Sequence, residues 1–260
     1  MKTRPQISRR GFLGAAGAFT AALSRIIPTL LTPGEARADE PPPDYDPTQH
    51  KWGYAIDVDK CIGCGRCVEA CKKENGVALT SPLTRTWVER YEVKEGGSVR
   101  VNSDNDGRKG FPPVARPGYG EEALDAFFVP KLCNHCEASA CTQVCPVGAT
   151  FESPDGVTLV DKSYCIGCGY CVQACPYGTR FIDPETHTAN KCNLCYHRVT
   201  RGLKPACVEV CPTGARVFGD MMIADSPVRE FLRGHRTDVL KPHLGTKPRV
   251  SYAGLRREVH

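Results

Sequence analysis

Apolar and polar residues alternate along this chain only in short runs, each closed within a few residues by a turn signal. Ile56-Asp57-Val58-Asp59-Lys60 is one such run, and its ending recurs as Leu159-Val160-Asp161-Lys162. Each copy leads into a cysteine group, so the pattern marks an internal repeat. Ala149–Phe151 and Val157–Val160 flank Ser153-Pro154-Asp155-Gly156, which predicts a hairpin. Arg180–Ile182 and Thr186–Asn190 flank Asp183-Pro184 and predict a second; Thr86–Val93 and Ser98–Val101, around Glu95-Gly96-Gly97, predict a third. Residues 103–120 read as a loop rich in glycine and proline, Glu121–Phe128 as a short helix, and Trp87, Tyr91, Phe127 and Phe128 as local core. Residues 39–52, with Glu40-Pro41-Pro42-Pro43-Asp44, read as an extended arm, and 221–260, polar and broken by Pro227, Pro242 and Pro248, as a tail.

The sixteen cysteines fall into four groups of four with none left over: Cys61, Cys64, Cys67, Cys71; Cys133, Cys136, Cys141, Cys145; Cys165, Cys168, Cys171, Cys175; and Cys192, Cys195, Cys207, Cys211. The first and third groups read C-x2-C-x2-C-x3-C, the run that wraps an iron–sulfur cubane in bacterial two-cluster ferredoxins. The second and fourth keep the outer spacings and stretch the middle one to C-x4-C and C-x11-C. Three cysteines within seven residues can curl around one cubane. The fourth is expected to start a helix that points away, and in two-cluster ferredoxins it ligates the other cluster. Gly63, Gly65, Gly167 and Gly169 permit the positive φ that turns backbone N–H groups towards sulfur. Pro146, Pro176 and Pro212 follow the fourth cysteine of their groups, whereas the first group has Lys72 there. The count predicts four 4Fe–4S clusters and an electron carrier with no catalytic residues. Disulfides or zinc held by paired CxxC motifs compete as readings, but neither needs the glycine turns. His135, His187 and His197 lie in or near the motifs and find no vacancy among four complete sets. Arg66, Lys72, Lys73 and Lys191 stand beside ligands as potential-raising charges or as solvated surface.

Ser8-Arg9-Arg10-Gly11-Phe12-Leu13 is a twin-arginine pattern, followed by a weakly apolar stretch to Leu23 and a small-residue site at Ala36-Arg37-Ala38. Residues 1–38 are therefore expected to be an export signal that carries a folded, cluster-loaded protein to the periplasm. That segment holds six Lys/Arg and one acid, so removing it takes the formal charge from +5 to zero. A nucleic-acid partner, which would want a basic face, loses its support. No stretch of the mature chain approaches the ~20 apolar residues of a transmembrane helix, so membrane association is expected only through partners.

CIGCGRCVEAC, CNHCEASACTQVCP, CIGCGYCVQACP and CNLCYHRVTRGLKPACVEVCP, in that order, resemble the four-cluster iron–sulfur subunits of the dimethyl sulfoxide, polysulfide and nitrite reductase type, over about residues 53–220. The resemblance implies an α+β, loop-rich fold of two nested bacterial-ferredoxin-like units, with an insertion at 72–132. It also implies the ligand pairing, which spacing alone leaves open between nested and sequential arrangements. Cluster A would take Cys61, Cys64, Cys67 and Cys211; cluster B Cys192, Cys195, Cys207 and Cys71; cluster C Cys165, Cys168, Cys171 and Cys145; cluster D Cys133, Cys136, Cys141 and Cys175. By analogy the wire would run A–B–C–D, between a membrane-integral quinone-reactive subunit and a catalytic molybdopterin or multihaem cytochrome subunit. A sulfite-reduction-associated redox complex is an equal home for such a subunit. A periplasmic hydrogenase or formate dehydrogenase subunit, and a zinc-stabilised binding module, are the alternatives.

Overall fold

A computed structural model describes residues 41–111 and 123–259. The twin-arginine segment, the second half of the 103–120 loop and the start of the expected helix at Glu121 lie outside those residues. In chain order the strands are β1 (Trp52–Asp57), β2 (Thr86–Lys94), β3 (Val99–Asn102), β4 (Ala123–Leu132), β5 (Thr150–Glu152), β6 (Thr158–Val160), β7 (Arg180–Ile182), β8 (Ala189–Lys191), β9 (Arg216–Asp220), β10 (Thr237–Asp238) and β11 (Val250–Ala253). The helices are α1 (Arg66–Glu74), α2 (Ala140–Gln143), α3 (Tyr170–Gln173), α4 (Tyr196–Val199), α5 (Ala206–Glu209) and α6 (Pro227–Gly234).

The main sheet has the order β10-β11-β1-β9. Its central strand β1 pairs antiparallel with β9, Ile56 opposite Arg216, and parallel with β11, Tyr54 opposite Val250. Side chains alternate across a sheet, and β1 is buried on both faces. Tyr54 and Ile56 join Phe218, Val250 and Tyr252 in the main core, while Ala55 and Ala253 pack against Val228 and Phe231 of α6. The two short hairpins β5-β6 and β7-β8 form where the alternation predicts them, as does β2-β3.

Three expectations are corrected. The helix expected over Glu121–Phe128 is corrected within the described residues: from Ala123 the chain is the strand β4, which pairs with β2 along its length, Tyr91 opposite Phe127 and Thr86 opposite Leu132. Pairing and burial of alternate residues outweigh the helix preference of Ala-Leu at its start. Pro130 is tolerated because β4 is the edge of the sheet β3-β2-β4.

Residues 221–260 are not a tail, since they supply α6, β10 and β11. Tyr252 is fully buried, and its hydroxyl donates to the Pro130 carbonyl across the core. The connecting stretch is strapped to the body by backbone bonds, Glu137 N–H to Lys247 O and Ala138 N–H to Thr246 O. Lys241 adds a bond from Nζ to the Pro176 carbonyl, 2.9 Å. Its polarity had concealed the buried Val228, Phe231, Leu240, Val250 and Tyr252, although Met222, Ile223 and Leu244 of the same segment stay exposed.

Residues 41–52 are a packed segment and not an extended arm. Tyr45, His50, Trp52 and Phe218 stack in series with centroid spacings of 5.0, 5.3 and 5.1 Å. The Tyr45 and Tyr196 hydroxyls both donate to Asp155 Oδ2, at 2.6 and 2.8 Å, which ties the segment to the β5-β6 turn.

Replacing Tyr252 by Ala should cost about 3–5 kcal/mol, as for other buried aromatics. Tyr252→Phe, which loses one long hydrogen bond, should cost about 1 kcal/mol. Thermal unfolding of the two holo-variants checks this; equal shifts would mean that the C-terminal strand is not part of the core.

Candidate metal centres

The third cysteine of every group is the second residue of a helix: Cys67 in α1, Cys141 in α2, Cys171 in α3 and Cys207 in α5. The fourth follows four residues later, inside α1 or just past the end of the shorter helices. It does not begin a helix, as the spacing had suggested; the helix runs between the two. Residues i and i+4 share one helix face about 6 Å apart along the axis, so consecutive cysteines serve neighbouring sites. Glycine is required before these helices for steric reasons. Gly65 has φ +72°, and a Cβ there would stand 1.9 Å from the Gly107 carbonyl oxygen. At Gly167, φ +69°, it would stand 2.4 Å from the His187 carbonyl oxygen. The second and fourth groups make the same left-handed bend without glycine, at His135 (φ 44°) and Leu194 (φ 56°), which costs on the order of 1–3 kcal/mol each.

Four small cavities result, each walled by four cysteines. One is lined by Cys61, Cys64, Cys67 and Cys211; one by Cys71, Cys192, Cys195 and Cys207. A third is lined by Cys145, Cys165, Cys168 and Cys171, and the last by Cys133, Cys136, Cys141 and Cys175. In each case three cysteines of one group meet the fourth of another. These cavities are referred to below as A, B, C and D, in the order given. Sequential pairing of the groups would need Cys71 near Cys133, whereas the fold carries it to Cys192.

Hydrogen bonds converge on the sulfurs. Asn75 Nδ2 reaches Cys71 Sγ and Cys195 Sγ at 3.6 and 3.7 Å. The Ala189 N–H donates to Cys165 Sγ at 3.3 Å, Ser139 Oγ lies 3.0 Å from Cys141 Sγ, and Tyr54 Oη 3.3 Å from Cys207 Sγ. After Cys145 and Cys211 the chain folds back so that backbone N–H groups, Val147 to Thr150 for the first and Thr213, Ala215 and Arg216 for the second, face the sulfur. These amides bring both thiols below their ordinary value despite burial. Burial pushes other thiols up, Cys61 and Cys136 to about 11 and Cys192 to about 12. Burial also raises Cys133, but its neighbours His135 and Lys191 outweigh it and carry the thiol well below.

Buried cations stand among the cysteines. Arg216 lines cavity A and donates to Tyr54 Oη, on the wall of B. Arg180 lines D and faces Cys171 of C. Lys191 donates to the carbonyls of Thr158, on the wall of D, and of Cys192, on the wall of B. Cys192 also lies within electrostatic reach of Cys133. The spatial order is therefore A, B, D, C, and the A–B–C–D order expected by analogy is corrected: β8 delivers Cys192 beside the second cysteine group, not the third. At the two ends, Ile62 and Ile166 line A and C while remaining 58% and 64% exposed, so each covers an outer face of its cavity.

Of the cations picked out by adjacency in sequence, only Lys191 lies between cavities. Lys72 is buried but donates to the carbonyls of Ser81 and Leu83; Lys73 pairs with Glu69, and Arg66 is exposed. Arg180 and Arg216 were missed, although a signal existed: Cys-Pro-x-Gly-x-Arg occurs at both 175–180 and 211–216. His135 accepts the Thr158 N–H at Nδ1, which leaves its proton on a buried Nε2 with Cys133 as the neighbouring sulfur. His197 pairs with Glu74, and His187 is exposed.

The donor set fits a polynuclear anion better than a single ion. Arg180 Nε and Nη2, buried and without a nitrogen or oxygen partner, require an acceptor in the space they adjoin. Cluster sulfur supplies one. When bound, a 4Fe–4S cluster supplies one-electron redox chemistry; these residues hold it, donate to its sulfurs and exclude water.

Comparison with known proteins agrees. Residues 60–149 and 124–221 each match a 4Fe-4S dicluster domain. The chain is 40% identical to a tetrathionate reductase subunit of Salmonella typhimurium, over 95% of this chain and 88% of that protein. It is 39% identical to a sulfite dehydrogenase subunit of Allochromatium vinosum, over 78% and 82% of the two proteins. With a polysulfide reductase subunit of Wolinella succinogenes the identity is 35%, over 77% and 92%. This protein belongs to the family of four-cluster iron–sulfur subunits of the dimethyl sulfoxide, polysulfide and nitrite reductase type. It carries four 4Fe–4S clusters and is a non-catalytic electron-transfer subunit of a multi-subunit oxidoreductase. The zinc-stabilised module gives way to these matches.

Gly167→Ala should lose cluster C and lower bound iron by about a quarter, since one of four equivalent cubanes is lost. Iron and acid-labile sulfide assays read the loss; full occupancy would show that the His187 carbonyl yields. Stripping all the clusters should abolish cooperative unfolding followed by circular dichroism, because cluster binding is also folding free energy. A cluster-free protein that kept a sharp native transition would contradict this.

Proposed function

We propose that this protein is a periplasmic wire that passes electrons between a membrane-integral quinone-reactive subunit and a respiratory oxidoreductase. The observation that carries the reading is the row of four cysteine-walled cavities, with the cysteines of B all buried and the outer members A and C approaching the surface at Ile62 and Ile166. The ligand sets are A (Cys61, Cys64, Cys67, Cys211), B (Cys71, Cys192, Cys195, Cys207), C (Cys145, Cys165, Cys168, Cys171) and D (Cys133, Cys136, Cys141, Cys175), arranged as two nested ferredoxin-like units. Electrons hop one at a time from cluster to cluster, and no bond to substrate is made on this chain. Cys168 is the exposed member of the sixteen, with exposed Ile166 and Tyr170 beside it, which supports the C end as one docking point. Among the described residues no helix is long and apolar enough to cross a membrane, in keeping with attachment through partners.

The twin-arginine pattern supports export after the clusters are loaded, because sixteen unprotected thiols would not survive an oxidising compartment. The catalytic partner is a molybdopterin or multihaem cytochrome subunit. The relatives named above are subunits of tetrathionate, sulfite and polysulfide enzymes, which favours sulfur-compound chemistry at the far end.

Solubilised membranes of a strain expressing a tagged full-length chain test this. The protein should copurify with one multi-span membrane subunit and one cofactor-bearing catalytic subunit, and added quinol should reduce its clusters or added oxidised quinone should reoxidise them. Recovery as a lone protein whose clusters do not respond to quinones would contradict the reading. Arg9→Lys with Arg10→Lys should leave cluster-loaded protein in the cytoplasm; unchanged periplasmic recovery would remove the export step.

A further inference from the structure

Arg216, Lys191 and Arg180 are 3%, 3% and 5% exposed. Among the described residues none of the three has a carboxylate within salt-bridge distance, and their hydrogen bonds go to neutral oxygens: Tyr54 and Thr86 hydroxyls for Arg216, the Thr158 and Cys192 carbonyls for Lys191, the Thr150 hydroxyl for Arg180. A buried charge with only neutral partners is costly. The anions within reach of each are the cysteine sulfurs of two different cavities. Arg216 faces Cys67 of A and Cys207 of B. Lys191 faces Cys192 of B and Cys133 of D. Arg180 faces Cys133 and Cys141 of D and Cys171 of C.

The placement follows the internal repeat. In Cys-Pro-x-Gly-x-Arg the glycine turns the chain with positive φ, +63° at Gly178 and +66° at Gly214, and the arginine opens the next strand, β7 or β9. The related run at 145–150 ends in Thr150, and Arg180 Nη1 donates to that threonine at 3.3 Å. Each ferredoxin-like half thus has one arginine between its two sites, and Lys191 sits at the junction of the halves. Arg85 is the contrast: it is buried, lines cavity B alone, and is held by Asn75, Asn190 and Asn193.

We propose that Arg216, Lys191 and Arg180 are shared counter-charges, each placed between two successive clusters, so that each sets the potentials of a pair of clusters and eases the repulsion between neighbours that are both reduced. The proposal rests on the ligand sets proposed above. Reduction adds one electron, and one negative charge, to a cluster, with no proton transfer. A fixed cation favours the reduced form of every cluster it faces. Removing one should therefore lower two potentials together and leave the other two in place.

The test is a redox titration of the purified full-length holo-protein with dithionite and mediators, read by electron paramagnetic resonance, on Arg216→Gln, Lys191→Gln, Arg180→Gln and Arg85→Gln. Each of the first three should change the reduced-to-oxidised ratio of two adjacent clusters about tenfold at fixed potential, which is about 59 mV for one electron. Arg85→Gln should move cluster B alone. Arg180→Lys and Lys191→Arg, which keep the charge, should recover most of the shift in any variant that retains full iron. Variants with full iron in which one potential moves, or none, overturn the proposal. A pair of potentials that moves but belongs to non-adjacent clusters would instead overturn the ligand sets on which it rests.

Discussion

Four thiolate-bound clusters, each with about two negative charges when oxidised, must be held in an interior that disfavours charge. The rest of the structure answers to that constraint. Burial alone would keep the thiols protonated, and it pushes Cys192 to about 12. Backbone amides turned onto Cys145 and Cys211, side-chain donors such as Asn75, and the cations Arg216, Lys191 and Arg180 supply the opposing field. Iron completes the arrangement, since it ties the cysteine loops and short helices together and cluster binding is also folding free energy.

Geometry comes from the helices. A third cysteine near the helix start and a fourth one turn later put two clusters on one face, so each helix couples neighbouring sites. The C-terminal strand β11 and the strap before it close the main sheet and cover cavity D through Thr246. The aromatic series from Tyr45 to Phe218 pins the other end of the described chain.

The cysteine groups, their glycine turns and the three hairpins were legible because each is a local signal: spacing, a turn dipeptide, an alternation of two. The same signals left the fate of the fourth cysteines open, since pairing depends on contacts between residues more than a hundred apart, such as Cys71 with Cys192. Residues 221–260 misled because a strand of four residues, Val250–Ala253, carries too short a pattern to stand out from polar surroundings. Glu121–Phe128 misled because its start favours helix in isolation and a nine-residue partner strand decided otherwise. Arg180 and Arg216 follow a repeated run that is visible once cysteine-to-arginine spacing is compared between groups, yet their burial between cavities is a property of the fold.

The central claim is the order of the four sites, A–B–D–C, each with three ligands from one cysteine group and one from another. An anomalous-scattering map of crystals of the holo-protein, collected at the iron edge, tests it most directly. Four cubane-sized peaks in a row are expected, with Cys211 on the first, Cys71 on the second, Cys175 on the third and Cys145 on the last. Single-atom peaks, or a cubane bound by all four cysteines of one group, would contradict it.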